Sequence, residues 1–380
     1  NAKLRYLPLL DRWILGELLP PLLFAIAAFT VVSVSVGVMF DLVRKIVEYG
    51  LPLQVALKIL ILKLPSFVVI SFPMAMLMSS LLAYSRLSEN SELKALRTIG
   101  VSTFRMVVPA ISLALLMTYI TFIFNNNIVP FSNRNAETVL ADSLGKAMSE
   151  ERGEDIMYSR RGDITDEKNQ KTSRSVTHLF YAKNFDDGYM NELTVVDLSK
   201  FGYTQVLTAE KGIWNSKNGM WEFINGKIMT LSPEGNSTTT NYENYLYPLD
   251  SGPEKVARIP RDSNDMTLNE ARSAMSIYQE TGNIKEVRRI KVRIQEKFTL
   301  PMSCIVFALI GSSIGAKPNT KKSRSQGFGL SIILILLYYI LSFTFSSLGV
   351  KGLISAVAAA WSPVIISLFC GFLLLARSSK

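Results

Sequence analysis

The residue types that most often carry chemistry are sparse in this sequence. The chain has one histidine, His178, which lies in an apolar and aromatic stretch, and its two cysteines, Cys304 and Cys370, both fall inside hydrophobic runs. A zinc site needs about four His, Cys or carboxylate ligands at close spacing. The sequence therefore predicts no metal site and favours a structural role for His178. Since no nucleophile, base and orienting group occur together, we also predict no catalytic residue.

One segment superficially resembles a nucleotide-binding loop. It runs from Gly311 through Gly315 to Lys317, but the Walker A pattern Gly-x-x-x-x-Gly-Lys-Ser/Thr occurs nowhere in the chain. The segment lies at the end of an apolar run, where glycines at this spacing are typical of close helix packing. We expect the chain to bind no cofactor itself. If ATP drives its function, ATP and Mg²⁺ are expected on another polypeptide.

Six uncharged runs must position whatever function the chain has. Each run contains 19 to 28 residues, and the hydrocarbon core of a bilayer, roughly 30 Å thick, is spanned by about 20 helical residues. The runs are Leu18 to Phe40, Leu64 to Ser85, Met106 to Asn133, Phe298 to Ala316, Ser325 to Val350 and Gly352 to Ala376. The sequence predicts an α-helical membrane protein with six transmembrane helices, three over residues 1–129 and three over residues 298–380. The first run, with 23 residues, is longer than the apolar region of a cleaved signal peptide, and we expect it to be retained.

Lysines and arginines beside these runs predict the orientation in the membrane. Thirteen of them lie beside run ends on the side of the two termini, against five on the opposite side. Because this bias marks the cytoplasmic side, both termini are predicted to be cytoplasmic and the long polar region extracytoplasmic. The net charge of +10 is then explained by topology and anionic lipid headgroups. Nucleic-acid binding, which would need a basic face on a soluble domain, is not predicted.

Between Pro130 and about Glu296 the hydropathy falls, and short β-type runs alternate with turn residues. Dipeptides such as Asn218-Gly219 and Asn225-Gly226 punctuate these runs as hairpin turns do. The predicted strands are Val176 to Phe185, Glu192 to Leu198, Tyr203 to Ala209, Trp221 to Ile224 and Lys227 to Leu231. The pattern predicts an inserted all-β domain over residues 130–264, as a sandwich, a jelly roll or a partly open barrel. The charged stretch from Glu150 to Arg174 is expected to be a loop before the first well-paired strand.

A helical connector is predicted over residues 265–297. Thr267 and Glu270 form a capping box that opens a helix. A second, basic helix from Ile284 to about Lys297 leads directly into the fourth span. The residues leave open whether its charges are solvated or contact anionic headgroups.

A further short helix is predicted between the second and third spans, from Arg86 to Ser102. Ser88 or Asn90 would cap its start, Glu89 and Glu92 would lie near its positive end, Leu93 and Leu96 would form one apolar face, Lys94 and Arg97 would occupy later turns, and Gly100 would end it. Such a helix under a membrane is suited to docking into a groove of a cytoplasmic ATPase. An ordinary interfacial loop helix is the alternative that remains open.

With these features the sequence resembles the lipopolysaccharide transport permeases of the LptF/LptG (YjgP/YjgQ) family over nearly its whole length. The most specific parts are Arg86 to Leu93 with Ile99 to Ser102, then Leu300-Pro301, Leu309 to Gly311, Gly327, Tyr338-Tyr339 and Ala360 to Pro363. The resemblance implies a periplasmic β-jelly-roll between the third and fourth spans and a coupling helix at residues 86–102. It also implies a location in the bacterial inner membrane and the extraction of lipopolysaccharide for transfer towards the outer membrane.

The partners implied by the resemblance are a cytoplasmic dimer of ATP-binding subunits, a second permease subunit of the same family, periplasmic bridge proteins with a matching jelly roll, lipopolysaccharide and membrane lipids. A mechanotransmission-type ABC membrane subunit is a rival reading, but such subunits usually have four spans around their external domain. A non-transporting scaffold or sensor is the other rival. It has no need of a coupling helix.

Residue roles follow from the same resemblance. Glu89, Glu92, Leu93, Leu96 and Arg97 would couple to the ATPase, with Glu92 as the carboxylate that pairs with a basic residue of the partner. Arg44 and Lys45 would contact substrate phosphates, for which a guanidinium fork and an ammonium are suited, and snorkelling at the membrane surface is the alternative. Gly311, Gly315, Gly327 and Gly329 would pack the helices of a lateral gate.

Overall fold

The computed structural model describes residues 8–144, 156–166, 171–186, 188–200, 203–215, 218–233, 235–249, 253, 265–280, 283–317 and 324–378. The chain divides into two compact units. The transmembrane unit comprises Asn1–Leu140, Asn264–Leu268 and Lys291–Lys380. The β unit comprises Ala141–Ser263 and Asn269–Ile290.

Ten α-helices are described. They are α1 (Leu9–Val34), α2 (Phe40–Tyr49), α3 (Leu53–Glu89), α4 (Glu92–Thr98), α5 (Thr103–Ile123), α6 (Val129–Leu144), α7 (Leu268–Glu280), α8 (Ile284–Gly315), α9 (Arg324–Lys351) and α10 (Ala356–Ser378). A π-helical turn, Ser35–Met39, joins α1 to α2, and a second, Phe124–Ile128, joins α5 to α6.

Six helical segments are long and apolar enough to cross a membrane, which confirms the predicted count. They are Leu9–Glu48, Leu53–Glu89, Thr103–Leu140, Ile284–Gly315, Gly327–Lys351 and Ala356–Arg377. Hydroxyl side chains inside them bond to backbone carbonyls: Thr121 donates to Met117 O at 2.6 Å and Ser313 donates to Leu309 O at 2.6 Å. Such local bonds satisfy polar groups where no water is at hand.

The helices extend beyond the predicted domain boundaries. Residue 130 lies within α6 and residue 298 lies within α8. The helix that begins at Ile284 continues without a break into the fourth span, as predicted, and α7 starts directly after Thr267. Among the described residues, the first strand of the inserted β region therefore follows α6 and begins at Ile156.

The β unit contains one six-stranded antiparallel sheet with the strands in sequence order. The strands are β1 (Ile156–Asp166), β2 (Lys171–Asp186), β3 (Tyr189–Asp197), β4 (Thr204–Asn215), β5 (Met220–Leu231) and β6 (Ser237–Tyr247). The inserted β domain is confirmed, and among the described strands every connection is between sheet neighbours. The expected loop over Glu150 to Arg174 is wrong where the structure describes it. Ile156–Asp166 is a strand whose polar residues are paired with β2.

A crease crosses five strands of this sheet. At one position in each strand the pairing skips a residue, and these residues are Lys183, Glu192, Glu210, Asn225 and Glu243. Glu192 and Asn225 take left-handed backbone angles, with φ of 47° and 50°. Each skipped residue shifts the alternation by one, so the sheet bends while both halves keep apolar side chains on the same face. The Asn225-Gly226 dipeptide, predicted to be a hairpin turn, lies at this crease inside β5.

The curved sheet encloses its own apolar core. Phe180, Leu193, Leu207, Trp221 and Phe223 are each 1% exposed or less. The ring of Phe180 on β2 lies 5.3 Å from that of Trp221 on β5, although these strands are not neighbours in the sheet. The sheet therefore curls until its two halves face each other and bury an apolar core between them.

Candidate functional site

The segment that links α3 to α5 carries the predicted ATPase-coupling residues, and we call residues 86–102 the coupling segment. Helix α3 continues to Glu89, and Asn90 is its C-cap, with the Asn90 N–H donating to Arg86 O. Ser91 follows in a left-handed conformation, with φ of 59°. The predicted capping of a new helix by Ser88 or Asn90 is therefore wrong, and Glu89 lies in the last turn of α3.

Helix α4 itself is short, from Glu92 to Thr98, and it ends as predicted. Gly100 has φ of 91° and the Val101 N–H donates to Leu96 O at 3.1 Å. A left-handed glycine followed by this long-range bond is the Schellman ending of a helix. It turns the chain directly into α5, whose first turn is capped by the Ser102 side chain.

The apolar face of α4 points into the protein. Leu93 is 2% exposed and belongs to the core of the transmembrane unit, and Leu96 packs against the same core. These side chains fix α4 against the membrane helices. The exposed residues include Lys94 and, directly after α4, Ile99, which is 75% exposed.

Glu92 is the first residue of α4 and is half-buried. Its Oε1 accepts a hydrogen bond of 2.9 Å from the Asn90 amide. A carboxylate at this position is stabilised by the positive end of the helix dipole. The Asn90 bond orients one oxygen atom, and the carboxylate remains available as an acceptor for a cationic partner.

Arg97 and Ser88 bind the chain directly after α8. Arg97 Nη2 donates to Ala316 O at 3.0 Å, and Ser88 Oγ donates to Lys317 O at 3.0 Å. Arg97 is half-buried and belongs to the inner side of the segment. Of the five predicted coupling residues, the structure brings Glu92, Leu93, Leu96 and Arg97 together on α4.

Two ion pairs beside the coupling segment were missed by the sequence analysis. Arg105 on α5 donates to both carboxylate oxygens of Asp11 on α1, and Arg86 on α3 donates to Glu17 on α1 at 2.9 Å. The available signal was opposite charges at the ends of spans one to three on the same predicted side of the membrane. The pairs tie α1 to both helices that flank the coupling segment.

Arg44 and Lys45, the predicted phosphate contacts, lie on α2. Each forms an ion pair with a carboxylate one helical turn away, Arg44 with Glu48 at 2.8 Å and Lys45 with Asp41 at 2.7 Å. The Arg44 side chain is 68% exposed, whereas that of Lys45 is 13% exposed. The two cations are close in the chain but present very different accessible surfaces.

The four predicted gate glycines fall into two groups. A Cβ atom added to Gly311 would lie 2.8 Å from Leu77 O, and one added to Gly315 would lie 2.8 Å from Leu81 O. These two glycines allow α8 and α3 to pack backbone against backbone, as the sequence predicts. A Cβ at Gly327 would meet only Leu82 at 3.6 Å, and one at Gly329 would meet nothing within 4 Å.

His178 has the structural surroundings that the sequence predicts. Its Nε2 lies 3.6 Å from Asp197 Oδ2, and the same carboxylate oxygen accepts a 2.8 Å hydrogen bond from the Tyr247 hydroxyl. Burial by itself would raise the pKa of Asp197, but hydrogen bonds from His178, Ser199 and Tyr247 hold it well below its usual range. These contacts join β6 to the end of β3 across the curled sheet. The role of His178 and Asp197 is therefore structural.

The described residues contain no group of three or more His, Cys, Asp or Glu side chains placed to hold a metal ion. The candidate site is the coupling segment, in which a short helix is fixed by its apolar face between spans that are joined by ion pairs.

Comparison with known proteins agrees with this architecture. The family model for the lipopolysaccharide export system permease LptF/LptG matches residues 12–377. A Rickettsia prowazekii protein of uncharacterised function, RP871, is 20% identical over 96% of this chain and 97% of its own length. The lipopolysaccharide export system permease protein LptG of Haemophilus influenzae is 21% identical over 83% of this chain and 84% of its own. Because the family match spans both sets of three helices and the β unit between them, the chain belongs to the LptF/LptG family of lipopolysaccharide export permeases.

Proposed function

We propose that this chain is the permease subunit of an ABC-type transporter that extracts lipopolysaccharide from the inner membrane. ATP hydrolysis would take place on a dimeric cytoplasmic partner, which would hold ATP and Mg²⁺. The observation that carries the proposal is the family match across residues 12–377. It is supported by a coupling segment in which Leu93 and Leu96 pack inward while Lys94 and Ile99 are exposed.

The coupling segment would receive the partner's motion at Glu92. This carboxylate is half-buried, at the N-terminus of α4, and held by the Asn90 amide. A charge-assisted hydrogen bond from a basic residue of the partner is stronger than a neutral one. With the termini and the coupling segment in the cytoplasm, the β unit would lie in the periplasm.

The cargo would be a glycolipid with phosphate groups. Arg44 and Lys45 would be its cationic contacts on α2, where each now has a carboxylate partner. Exposed i,i+4 pairs are worth only about 0.3–0.5 kcal/mol, so a phosphate can replace the carboxylate at Arg44 at little cost. A second permease subunit of the same family would complete the path through the membrane.

The β unit would receive the extracted lipid. Acyl chains lose roughly 25 cal/mol for each Å² of apolar surface exposed to water, so a route through the periplasm must shelter them. The curled sheet encloses an apolar core that includes Phe180, Trp221 and Phe223, and its two halves would have to separate to admit an acyl chain. Bridge proteins with a similar β fold would continue this route towards the outer membrane.

The experiment that tests the class of function is purification of the full-length chain in mild detergent from its native membrane, followed by mass spectrometry of bound proteins and lipids. We expect an ATP-binding protein and a phosphorylated glycolipid. Recovery of a different partner class without glycolipid would contradict the proposal.

The role of Glu92 is tested by Glu92→Lys. We expect lipid release driven by ATP to fall at least about tenfold, since a like charge now faces the partner's basic residue, while the thermal unfolding of the permease is unchanged. Glu137→Lys is the matched control, because it reverses an exposed charge on α6. Full coupled export by Glu92→Lys would disprove the assignment.

The phosphate role is tested by Arg44→Gln and Lys45→Gln together. We expect weaker glycolipid binding with unchanged assembly with the ATPase, as measured by native mass spectrometry. Equal loss of both would show structural damage instead of lost phosphate contacts.

A further inference from the structure

The first observation concerns the end of α8 next to the coupling segment. The carbonyl groups at the C-terminus of a helix have no partners within the helix. After α8, which ends at Gly315, the carbonyls of Ala316 and Lys317 are bound by Arg97 of α4 and Ser88 of α3. A guanidinium at this position is also favoured by the negative end of the helix dipole. α4 is thus held to α8 by a charge-assisted bond.

The second observation is that α8 is packed too closely to move by small side-chain adjustments. Gly311 and Gly315 bring its backbone against that of α3, where an added Cβ would lie within 2.8 Å of a carbonyl oxygen. Phe307, on the same helix, is 1% exposed and packs against the Tyr338 ring at 4.7 Å. Close-packed interiors transmit strain and do not absorb it.

The third observation concerns the other part of α8 within the transmembrane unit. Lys297 is 6% exposed, and its Nζ donates to Asn125 O at 3.0 Å. Asn125 belongs to the π-helical turn Phe124–Ile128 of the third span, and π-helical turns interrupt regular bonding and often lie at functional positions. The Thr118 hydroxyl of α5 donates to Ala114 O at 2.8 Å and lies 3.1 Å from Pro301 O, so the third span contacts α8 at two levels. A buried ammonium is costly unless it is hydrogen-bonded, and residues of this kind inside a membrane protein are candidates for function.

We propose that α8 is a strut that carries a displacement of α4 to the π-helical turn at Phe124–Ile128. The positioning residues are Arg97, which binds the chain at the C-terminal end of α8, and Lys297, which lies within α8. From Lys297 to Gly315, the last residue of α8, there are 18 helical intervals, or roughly 27 Å at about 1.5 Å per residue. The inference rests on the proposed function, because an ATP-hydrolysing partner is what would displace α4. It gives Arg97 a role in binding α8 and not in contacting the ATPase. It also gives a role to Lys297, which the sequence placed only within a basic helix.

The experiment is hydrogen–deuterium exchange of the full permease, assembled with its second permease subunit and ATP-binding partner in lipid nanodiscs, with and without ATP-vanadate. In the wild type we expect the trapped nucleotide to change exchange at residues 92–98 and at residues 124–128. In Arg97→Gln and in Lys297→Gln we expect the change at 92–98 to persist and the equilibrium shift at 124–128 to fall about tenfold, or about 1.4 kcal/mol of coupling. Arg97→Lys, which can still donate to Ala316 O, should restore part of it.

Arg377→Gln is the matched control, since it removes an exposed cation at the end of α10, outside the coupling segment. Its response at 124–128 should equal that of the wild type. If Arg97→Gln fails to assemble, Ser88→Ala removes only the bond to Lys317 O, and we expect an intermediate loss. A wild-type response at 124–128 in Lys297→Gln would overturn the strut. A wild-type complex that binds no ATPase, or that shows no change at 92–98, would instead contradict the proposed function.

Discussion

Helices α8 and α9 are consecutive apolar helices, yet they occupy opposite environments within the transmembrane unit. The most apolar window of α8 has a mean hydropathy of 1.8 and 72% of its residues are buried, whereas the window of α9 has a mean hydropathy of 2.2 and 17% buried. The less apolar helix is therefore the central one. Lipid is as apolar as leucine, so small and polar residues, which allow close packing and hydrogen bonds, decide which helix is enclosed by protein.

The two helices show this difference in their side chains. α8 contains the small residues Gly311, Ser312, Ser313 and Gly315 near its contact with α3, and Ser312 and Ser313 are fully buried. α9 instead exposes large apolar side chains, namely Ile333, Leu336, Leu337, Ile340 and Phe343, each more than half exposed. These side chains are suited to lipid or to a second membrane subunit.

The largest expected effect comes from enlarging a glycine on each helix. Gly311→Leu should lower stability by about 3 kcal/mol or more, because even its Cβ would meet Leu77 O and overpacking a close interface typically costs about 1–3 kcal/mol. Gly329→Leu on α9 should cost nothing, since a Cβ there meets no atom within 4 Å. Thermal unfolding of each variant in the same detergent measures the difference. Equal stability would show that α3 and α8 are not held by backbone contact.

This comparison also shows how far the sequence alone could go. Charge-free runs gave the number of spans, because a bilayer imposes both their length and their composition. The Gly311 to Gly315 spacing indicated close packing, but it did not identify α3 as the neighbour. Hydropathy also stopped too early at the ends of spans, since α6 and α8 continue as helices through charged and polar residues.

The candidate site was predictable in part for similar reasons. The local sequence predicted the end of α4 correctly, because Gly100 adopts the left-handed conformation there. It predicted the start wrongly, because Asn90 ends α3 and does not cap α4. Nothing local could reveal that Arg97 would bind Ala316 O, because that bond joins residues 219 positions apart. In the β unit, polar composition concealed β1, since antiparallel pairing with β2 stabilises a strand whose own residues have little β preference.

A smaller effect is expected from removing one hydroxyl group at each of two tyrosines. Tyr84 on α3 lies against Gly315 of α8 and donates to Met106 O at 2.6 Å, whereas the Tyr339 hydroxyl on α9 has no hydrogen-bond partner among the described residues. Tyr84→Phe should cost about 1 kcal/mol, the usual net value of a buried hydrogen bond. Tyr339→Phe should be neutral or slightly stabilising. Chemical unfolding of the full chain measures both changes in stability. A clear loss for Tyr339→Phe would show that the Tyr339 hydroxyl has a hydrogen-bond partner outside the described residues.

The smallest expected effect comes from two serines of α3. It shows whether the size or the polarity of the residues facing α8 determines its position. Ser80 on α3 is fully buried beside Gly311, and its hydroxyl has no hydrogen-bond partner among the described residues, whereas the neighbouring Ser79 donates to Leu18 O at 2.7 Å. Ser80→Ala keeps the small volume and should change stability by less than about 0.5 kcal/mol, while Ser79→Ala should lose roughly 0.5–1.5 kcal/mol with its hydrogen bond.

The two serine variants are compared by unfolding under identical detergent conditions. If Ser80→Ala is neutral, the place of α8 inside the bundle follows from residue size at its contact with α3, because only close approach of the backbones is then preserved. If Ser80→Ala costs as much as Ser79→Ala, its hydroxyl has a partner that is missing from the described residues. Polarity would then be as important as size in placing α8 inside and α9 outside.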